Sequence, residues 1–258
     1  MTKNATENYC WPEFQCCALP PKKSFIGRRR LSRKSAGQST SLTVDFFRRK
    51  MFTGIIEDIG KVVTIKNNLL VVSTILDDIR PKDSIAVNGV CLTVNQIKKS
   101  GLNYHLFFDL GEPTRRRTNL STLRVNSPLN LERSLTVGGR LSGHFVLGHV
   151  EGVGKILEIK KVAEEEIFLK ISVPENIRQY LVARGSIAVD GISLTIAELG
   201  DLFFVVDIIP ETLRRTNLQF RRRNDLVNIE PDILARYARS PQRKEEITLE
   251  KLQEEGYI

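Results

Sequence analysis

One pattern of apolar and polar positions occurs twice in the chain. Residues 84–94 read SIAVNGVCLTV, and residues 186–196 read SIAVDGISLTI, 102 positions later. An Asn-Gly or Asp-Gly pair between two alternating apolar runs predicts a β-hairpin, because the tight turn needs two residues that tolerate positive φ. Each copy is therefore predicted to form a strand, a turn and a second strand.

The second strand of each hairpin is predicted to have one apolar and one polar face, because successive side chains of a strand point to opposite sides. The apolar face carries Val90, Leu92 and Val94 in the first copy and Ile192, Leu194 and Ile196 in the second. The opposite face carries Cys91 and Thr93, and then Ser193 and Thr195. The polar face of a hairpin commonly meets solvent. Its duplication in register favours a paired site instead.

The repeat extends through most of the chain after Met51. The run FTGIIEDIGK at 52–61 matches VLGHVEGVGK at 146–155, PTRRRTNL at 113–120 matches ETLRRTNL at 211–218, and NLE at 130–132 matches NIE at 228–230. A period near 100 residues is that of a whole domain rather than of a solenoid unit. Short alternating runs bounded by Gly, Asn, Asp or Pro predict an all-β fold of two tandem, homologous, small Greek-key β-barrels.

The barrels are expected at residues 51–143 and 144–240. Short helical turns are expected at 174–181 and 76–81. Beyond Asp232 the pattern becomes helical, since Ile233, Leu234 and Tyr237 share one face, as do Ile247, Leu249 and Leu252 further on. A C-terminal α-helix at 241–258 is expected either to pack on its own barrel or to assemble subunits.

The basic charge of the chain lies in residues 1–50. This segment holds 11 Lys and Arg against 3 Asp and Glu, whereas the remainder holds 28 against 27, although the whole chain has a net charge of +9. A nucleic-acid-binding domain would itself be basic, so the near-neutral body argues against such a partner. Three of the four cysteines also lie in this segment, and no Cys-x-x-Cys occurs, so neither a disulfide framework nor a zinc site is indicated.

Residues 1–50 are rich in Arg, Lys, Ser and Thr and lack apolar periodicity, so they are expected to be disordered. No apolar run is long enough for secretion or membrane spanning. The composition resembles that of an organelle transit peptide, which would imply a plastid location. The favoured alternative is that translation begins at Met51, the first residue of the organised region, and that the protein is cytoplasmic.

Candidate chemistry centres on GHFVLGH at 143–149, where His144 and His149 are expected on opposite faces of a strand and are poor joint metal ligands. His149 follows a glycine that permits close approach of a ligand, and imidazole suits proton transfer near neutral pH. Ser193 lacks the Gly-x-Ser-x-Gly elbow of a hydrolase. Cys91 is either a thiolate nucleophile or an inert small side chain. The arginine runs at 115–117 and 221–223 are expected to be solvated.

Five motifs together resemble one family. They are MFTGII at 51–56, NGVCLT at 88–93, GHFVLGH at 143–149, DGISLT at 190–195 and IPETLRRTNL at 209–218. In this order they resemble riboflavin synthase of the α-chain type. The resemblance implies a transferase without a cofactor, in which two molecules of 6,7-dimethyl-8-ribityllumazine exchange a four-carbon unit to give riboflavin and 5-amino-6-ribitylaminouracil. It also implies a homotrimer, in which the first barrel of one subunit faces the second barrel of another. The charge distribution and the apolar pattern, as argued above, indicate no nucleic-acid or membrane partner.

The same resemblance implies the site residues. The catalytic candidates are Ser193, Thr195, His149 and Cys91. The first-barrel pocket would use Gly54, Ile55, Ile56, Val90, Cys91, Leu92, Asp109, Leu110, Gly111, Glu112, Pro113 and Thr114. The second-barrel pocket would use Leu147, Gly148, His149, Ser193, Leu194, Thr195, Asp207, Ile208, Ile209, Pro210, Glu211 and Thr212. Arg184 and Asp232 are further substrate-binding candidates.

Two rival functions stay open at this point. A non-catalytic lumazine- or flavin-binding protein could use the same barrels, although it would have no need of the polar residues kept here at Cys91, His149, Ser193 and Thr195. An oligonucleotide-binding barrel would need a row of stacking aromatic residues, which the pattern lacks. The first copy reads Gly111-Glu-Pro where the second reads Ile209-Pro-Glu, so contacts to a ribityl chain are less secure in the first barrel.

Overall fold

The computed structural model describes residues 51–163 and 166–239, together with Gln253. The strands are β1 Asp58–Lys66, β2 Leu69–Thr74, β3 Ser84–Val87, β4 Val90–Ser100, β5 Asn103–Asp109, β6 Pro128–Arg133, β7 Gly152–Ala163, β8 Glu166–Ser172, β9 Ser186–Val189, β10 Ile192–Leu199, β11 Phe203–Ile208 and β12 Leu226–Pro231. The helices are α1 Glu112–Arg117, α2 Glu175–Arg178, α3 Pro210–Arg215 and α4 Ile233–Arg239, with 3₁₀ turns at Asn119–Thr122 and Asn217–Phe220.

The strands form two closed antiparallel barrels with the same order. The first runs β1-β2-β5-β4-β3-β6, and the second runs β7-β8-β11-β10-β9-β12. Closure leaves no unpaired sheet edge, and each interior is filled by apolar side chains, with Phe108 and Phe204 fully buried at equivalent places. The predicted all-β fold of two homologous barrels is confirmed.

Both predicted hairpins are present. Val87 pairs with Val90 across the first turn, and Val189 pairs with Ile192 across the second. The turn residues have positive φ, as the sequence requires: Asn88 46°, Gly89 74°, Asp190 46° and Gly191 80°. The two turns also touch each other, since a Cβ on Gly89 would lie 2.6 Å from the amide nitrogen of Gly191. The glycines therefore serve both the turn and this contact.

A buried polar network joins the barrels behind the touching turns. It consists of three repeat-related pairs, which are Asn88 and Asp190, Asn119 and Asn217, and Asn130 and Asn228. Most of its side-chain bonds cross the boundary; for example, Asn119 donates to Asp190 at 2.8 Å and Asn217 donates to Asn88 at 3.1 Å. Arg221 adds an ion pair to Asp190 at 2.5 Å. Arg221 is thus a partly buried partner of the network, which corrects the prediction that 221–223 is solvated throughout.

The segments that lead into the two barrels cross between them. Phe52 and Val146 exchange both main-chain hydrogen bonds, at 2.7 and 3.1 Å, and pack together with Ala86 and Ala188. Ile56 then packs against the core of the second barrel. The repeat-related Val150 packs against the core of the first barrel. Each barrel therefore receives part of its cover from the segment that enters the other.

The helices agree with the predictions in part. Helix α2 lies within the predicted 174–181, and α4 carries Ile233, Leu234 and Tyr237. Residues 76–81 form no helix, because the chain turns there with positive φ at Asp78. Short helices α1 and α3, each with a proline in the first turn, were not predicted. The predictions for 1–50 and for a helix at 241–258 lie outside the described residues. Within those residues no helix is long and apolar enough to cross a membrane.

Candidate active site

The polar face of the second hairpin meets the loop that precedes β1. The carbonyl of Gly54 accepts a hydrogen bond from the amide of Ser193 at 2.8 Å. A Cβ on Gly54 would lie only 2.6 Å from Cβ of Ser193, and Gly54 has a φ of +77°. Glycine is therefore required here by both the close approach and the backbone conformation. Loop 54–56 therefore lies at the surface of the second barrel that carries Ser193, which we call the mouth of that barrel.

The first hairpin has the same arrangement with the loop that precedes β7. The carbonyl of Gly148 accepts from the amide of Cys91 at 2.9 Å, and a Cβ on Gly148 would lie 2.5 Å from Cβ of Cys91. Loop 147–149 therefore covers the first barrel. The predicted grouping, which placed 54–56 in the first pocket and 147–149 in the second, is wrong. It followed chain order, whereas the two loops exchange barrels.

The remaining predicted residues stand at the same two mouths. Val94 pairs with Phe108 and Ile196 pairs with Val206, so the ends of β5 and β11 lie beside the polar faces. These ends carry Asp109, Gly111, Glu112, Pro113 and Thr114 in the first barrel and Asp207, Ile209, Pro210, Glu211 and Thr212 in the second. Thr195 is exposed beside Asp207. Cys91 and Ser193 are partly exposed.

Five of the predicted binding residues have side chains inside the barrels. These are Val90, Leu92, Leu110, Leu194 and Ile208, each no more than 7% exposed. They pack in the apolar cores, so only their main-chain groups are available to a ligand. Their neighbours along the strand carry the chemistry.

Ser193 has an imidazole partner, which is His144. The Nδ1 atom of His144 lies 2.7 Å from Oγ of Ser193, and the main-chain amide of His144 donates to the carbonyl of Thr53 at 3.1 Å. His144 is 8% exposed, and Nε2 has no hydrogen-bond partner among the described residues. Burial lowers the pKa of His144, while the charge of Asp232 opposes that effect. The ring is therefore neutral near pH 7 and able to accept a proton.

From the sequence, His144 was a core or turn residue and a poor metal ligand, and His149 was the proton-transfer candidate. Segment 143–149 is not a regular strand, because it pairs only through Val146. His144 is buried against Ser193, whereas His149 is exposed beside the first barrel. A Cβ on Gly143 would lie 2.0 Å from the carbonyl oxygen of Thr53 and 3.0 Å from Oγ of Ser193. The glycine before each histidine was the available signal that both approach other backbone closely.

Two buried glutamates fix the loops and were not among the predicted site residues. Glu132 accepts from the amide and hydroxyl of Thr53, at 2.6 and 2.8 Å, and from the amide of Gly54 at 3.0 Å. Glu230 accepts from the amides of Leu147, Gly148 and His149, at 2.7, 3.0 and 3.1 Å. Burial raises the pKa of each to about 7, although these hydrogen bonds lower it in part. Their recurrence in NLE and NIE was the signal in the sequence.

Arg184 and Asp232 both lie at the second barrel. Arg184 sits in a turn with a φ of 65°, and its amide donates to the carbonyl of Ile196 at 2.8 Å, next to Thr195. Lys82 occupies the equivalent turn of the first barrel, with its amide 2.7 Å from the carbonyl of Val94. Asp232 begins α4 by accepting from the amide of Leu234 at 3.0 Å, and it acts on His144 through its charge.

Open cavities lie beside both loops. One of about 580 Å³ is lined by His149, Arg117, Glu151 and Arg236 among others. Another of about 600 Å³ is lined by Ile55, Glu57 and Arg133 among others, and Ile55 and Glu57 are the repeat equivalents of His149 and Glu151. Both are wide enough for a small organic molecule. They place Ile55 and His149 at the edges of accessible space.

Comparison with known proteins identifies this architecture. A family model described as the lumazine binding domain matches twice, at residues 53–134 and 147–232. The chain is 42% identical over 193 residues to a riboflavin synthase of Actinobacillus pleuropneumoniae, a match that covers 72% of this chain and 87% of the relative. The chain belongs to the riboflavin synthase family. A member from Mycobacterium bovis is 38% identical over 201 residues, with 72% of this chain and 96% of the relative covered.

As a member of this family the chain is an enzyme of the transferase class. Solved structures of LumP share the fold. LumP complexed with 6,7-dimethyl-8-(1'-D-ribityl) lumazine has a TM-score of 0.61 at 22% identity, and LumP complexed with riboflavin has 0.61 at 25% identity. Each covers 70% of this chain and 98% of the LumP chain.

Proposed function

We propose that the chain catalyses the riboflavin synthase reaction, in which two molecules of 6,7-dimethyl-8-ribityllumazine give riboflavin and 5-amino-6-ribitylaminouracil. The observation that carries the proposal is the Ser193–His144 pair, 2.7 Å apart at the mouth of the second barrel. The lumazine bound by LumP and the enzymatic activity of the family relatives support the same substrate. A mere binding protein would have no need of a buried base beside an accessible hydroxyl.

Two similar barrels suit a reaction between two copies of one substrate. The reaction redistributes the atoms of two identical molecules, with no net oxidation. Holding the molecules face to face replaces a chance collision by an oriented encounter, which is the largest catalytic contribution that positioning can make. We propose the homotrimer for this purpose, with the first barrel of one subunit facing the second barrel of another.

Proton transfer is assigned to the second barrel. Its neutral His144 accepts the proton of the Ser193 hydroxyl, and the polarised Oγ then removes a proton from the C7 methyl group of the bound lumazine or directs a water to C7. Asp232 stabilises the imidazolium through its charge. The exposed side chains Ile55 and Ile209, 47% and 58% accessible, offer apolar surface to the planar ring at this mouth.

The first barrel offers different groups at the same places. Cys91 replaces Ser193, His149 replaces Ile55, and Gly111 replaces Ile209 in the repeat. The thiol and the exposed imidazole assist nucleophile addition or proton movement on the second lumazine. The two molecules thereby occupy similar sites with unequal chemical surroundings.

The direct test incubates the full chain with 6,7-dimethyl-8-ribityllumazine and follows riboflavin fluorescence. We expect riboflavin and the pyrimidine product in equal amounts. Tight lumazine binding without riboflavin would favour the non-catalytic binding protein. Absence of both binding and product would refute the proposal.

Variants then test the residue roles. Ser193→Ala and His144→Gln are expected to lower kcat by about 10²-fold with little change in KM, because each removes proton transfer rather than binding. Ser100→Ala and His105→Gln are matched controls on the first barrel away from its mouth and are expected to retain activity. Unchanged kcat with a raised KM in Ser193→Ala would limit Ser193 to binding. His149→Ala is expected to have the smaller effect, because His149 is exposed.

A further inference from the structure

Glu132 and Glu230 are buried acidic side chains to which the proposed mechanism gives no step. They are 3% and 5% exposed and occupy repeat-related positions on β6 and β12. Each accepts three hydrogen bonds, all from the loop that enters its own barrel. A carboxylate this buried needs several donors to offset its loss of hydration.

One glycine links each glutamate to a strand of the opposite barrel. The amide of Gly54 donates to Glu132 at 3.0 Å, while its carbonyl accepts from Ser193 at 2.8 Å. The amide of Gly148 donates to Glu230 at 3.0 Å, while its carbonyl accepts from Cys91 at 2.9 Å. The amide and the carbonyl of one glycine lie on either side of a single Cα. With φ held at 77° in Gly54 and 74° in Gly148, anchoring the amide also directs the carbonyl towards the opposite barrel.

We propose that Glu132 and Glu230 are positioning residues that act across the barrel boundary: Glu132 of the first barrel positions Ser193 in the second, and Glu230 of the second barrel positions Cys91 in the first. The functional part of this inference rests on the proposed function. The structural part, in which each strand depends on the glutamate of the other barrel for its position, does not rest on the proposed function.

The geometry explains why the dependence is crossed. Ser193 must present Oγ both to His144 and to the mouth, and its main chain is held there by Gly54. Thr53 strengthens the same connection, because its amide and hydroxyl bind Glu132 while its carbonyl accepts from His144. Glu132 thus holds the loop that contacts both members of the Ser193–His144 pair. The nearest acidic neighbours that influence the two carboxylates are Glu57 and Glu151.

Amide hydrogen exchange at pH 8 tests the structural part without reference to activity, since both carboxylates are ionised above their pKa of about 7. In Glu132→Gln the new NH₂ group faces a loop donor, and a hydrogen bond to a charged group is lost. We expect the Ser193 amide to exchange about tenfold faster, with the Cys91 amide unchanged. Glu230→Gln should reverse this pattern. Glu158→Gln, an exposed change on β7, is the control.

A crossed double-mutant cycle on kcat/KM tests the functional part. Glu132→Gln combined with Ser193→Ala should lose at least fivefold less than the product of the single losses, because both act on one step. For Glu132→Gln combined with Cys91→Ala, the loss of kcat/KM should equal the product of the two single losses. Glu230→Gln should couple to Cys91→Ala and not to Ser193→Ala. General destabilisation would not choose between the barrels in this way.

Thr53→Val keeps the experiment informative if a glutamine variant fails to fold. It removes the hydroxyl, which donates to Glu132 and accepts from the Ile55 amide at 3.3 Å, and it keeps the two main-chain donors to Glu132. It should speed exchange at Ser193 about threefold and leave Cys91 unchanged. An equal increase in the exchange rates of the Ser193 and Cys91 amides would overturn the inference. Coupling of Glu132 to Cys91, or of Glu230 to Ser193, in the double-mutant cycle would also overturn it. Crossed exchange in a chain that forms no riboflavin would uphold the positioning role and refute the proposed function alone.

Discussion

The buried Asp190 is expected to be the most sensitive position of the network between the barrels. Its Oδ1 accepts from Asn119 and from the amide of Asn228, and its Oδ2 accepts from Asn217 and Arg221. In Asp190→Asn, whichever way the amide is turned, its NH₂ group faces two donors. The substitution also removes the negative charge that faces Arg221.

The size of the effect follows from this geometry. Removing one partner of a buried ion pair costs about 3–5 kcal/mol. The Arg221 side chain keeps 18% of its accessibility, and an asparagine oxygen still accepts from two donors. We therefore expect Asp190→Asn to lower the free energy of unfolding by about 3 kcal/mol. The adjacent, exposed Arg222→Leu should change it by less than about 0.5 kcal/mol.

The first barrel shows which second substitution should offset part of the loss of stability in Asp190→Asn. Its equivalents of Asp190 and Arg221 are Asn88 and Leu123, and Leu123 packs on the first barrel core without an ion pair. Asp190→Asn with Arg221→Leu copies this arrangement and should recover about half of the loss, because Asn217 is then the one remaining donor that faces the NH₂ group. Urea unfolding at constant m value measures all three variants. A double variant as unstable as the sum of its singles would refute the reasoning.

Three further results are expected. Gly54→Ala and Gly148→Ala should each lower the free energy of unfolding, measured in urea, by at least about 2 kcal/mol. The new Cβ would lie 2.6 Å from Cβ of Ser193 in the first variant and 2.5 Å from Cβ of Cys91 in the second. The control Gly138→Ala, at a φ of +84° with open space around it, should lower the free energy of unfolding by only about 1 kcal/mol through backbone strain. Gly143→Ala should abolish turnover while lumazine binding to the first barrel, followed by fluorescence titration, persists; loss of both would contradict a local effect. Urea unfolding should show that the free energy of unfolding falls as the pH rises from 4.5 through about 7, by about 3 kcal/mol for each of Glu132 and Glu230. The reason is that the pKa of each carboxyl is higher in the folded protein than in the unfolded chain. An equally steep fall in Glu132→Gln would contradict the assignment to these carboxyls.

The barrels were predictable because their signals are local. Asn88-Gly and Asp190-Gly fix both hairpins, and the alternation after each turn places Leu92 and Leu194 inside. The repeat then indicates that both halves share one fold. Helices α1 and α3 escaped prediction because each spans only 6 residues and buries no side chain, so no apolar periodicity marks it.

The composition of each site was less predictable, because it depends on contacts between segments far apart in the chain. Gly54 lies near the first hairpin in sequence but binds Ser193 in the second, and no local pattern encodes that exchange. The choice between two histidines in one motif had the same difficulty. Only the fold of 143–149 shows that His144 reaches Ser193 while His149 is exposed beside the first barrel.

When the two halves of the chain are compared, the positions that hold the fold are the same and the accessible positions at the mouths differ. Positions that keep their identity in the repeat, such as Gly54 with Gly148 and Glu132 with Glu230, hold loops and barrels together. The positions that differ at the mouths, Cys91 with Ser193, Ile55 with His149, and Gly111 with Ile209, have accessible side chains or main chain. A duplicated frame with altered mouths would hold two identical molecules in the same way while acting on them differently. That combination is what a reaction between two copies of one substrate requires, because one copy must give the carbon unit that the other receives.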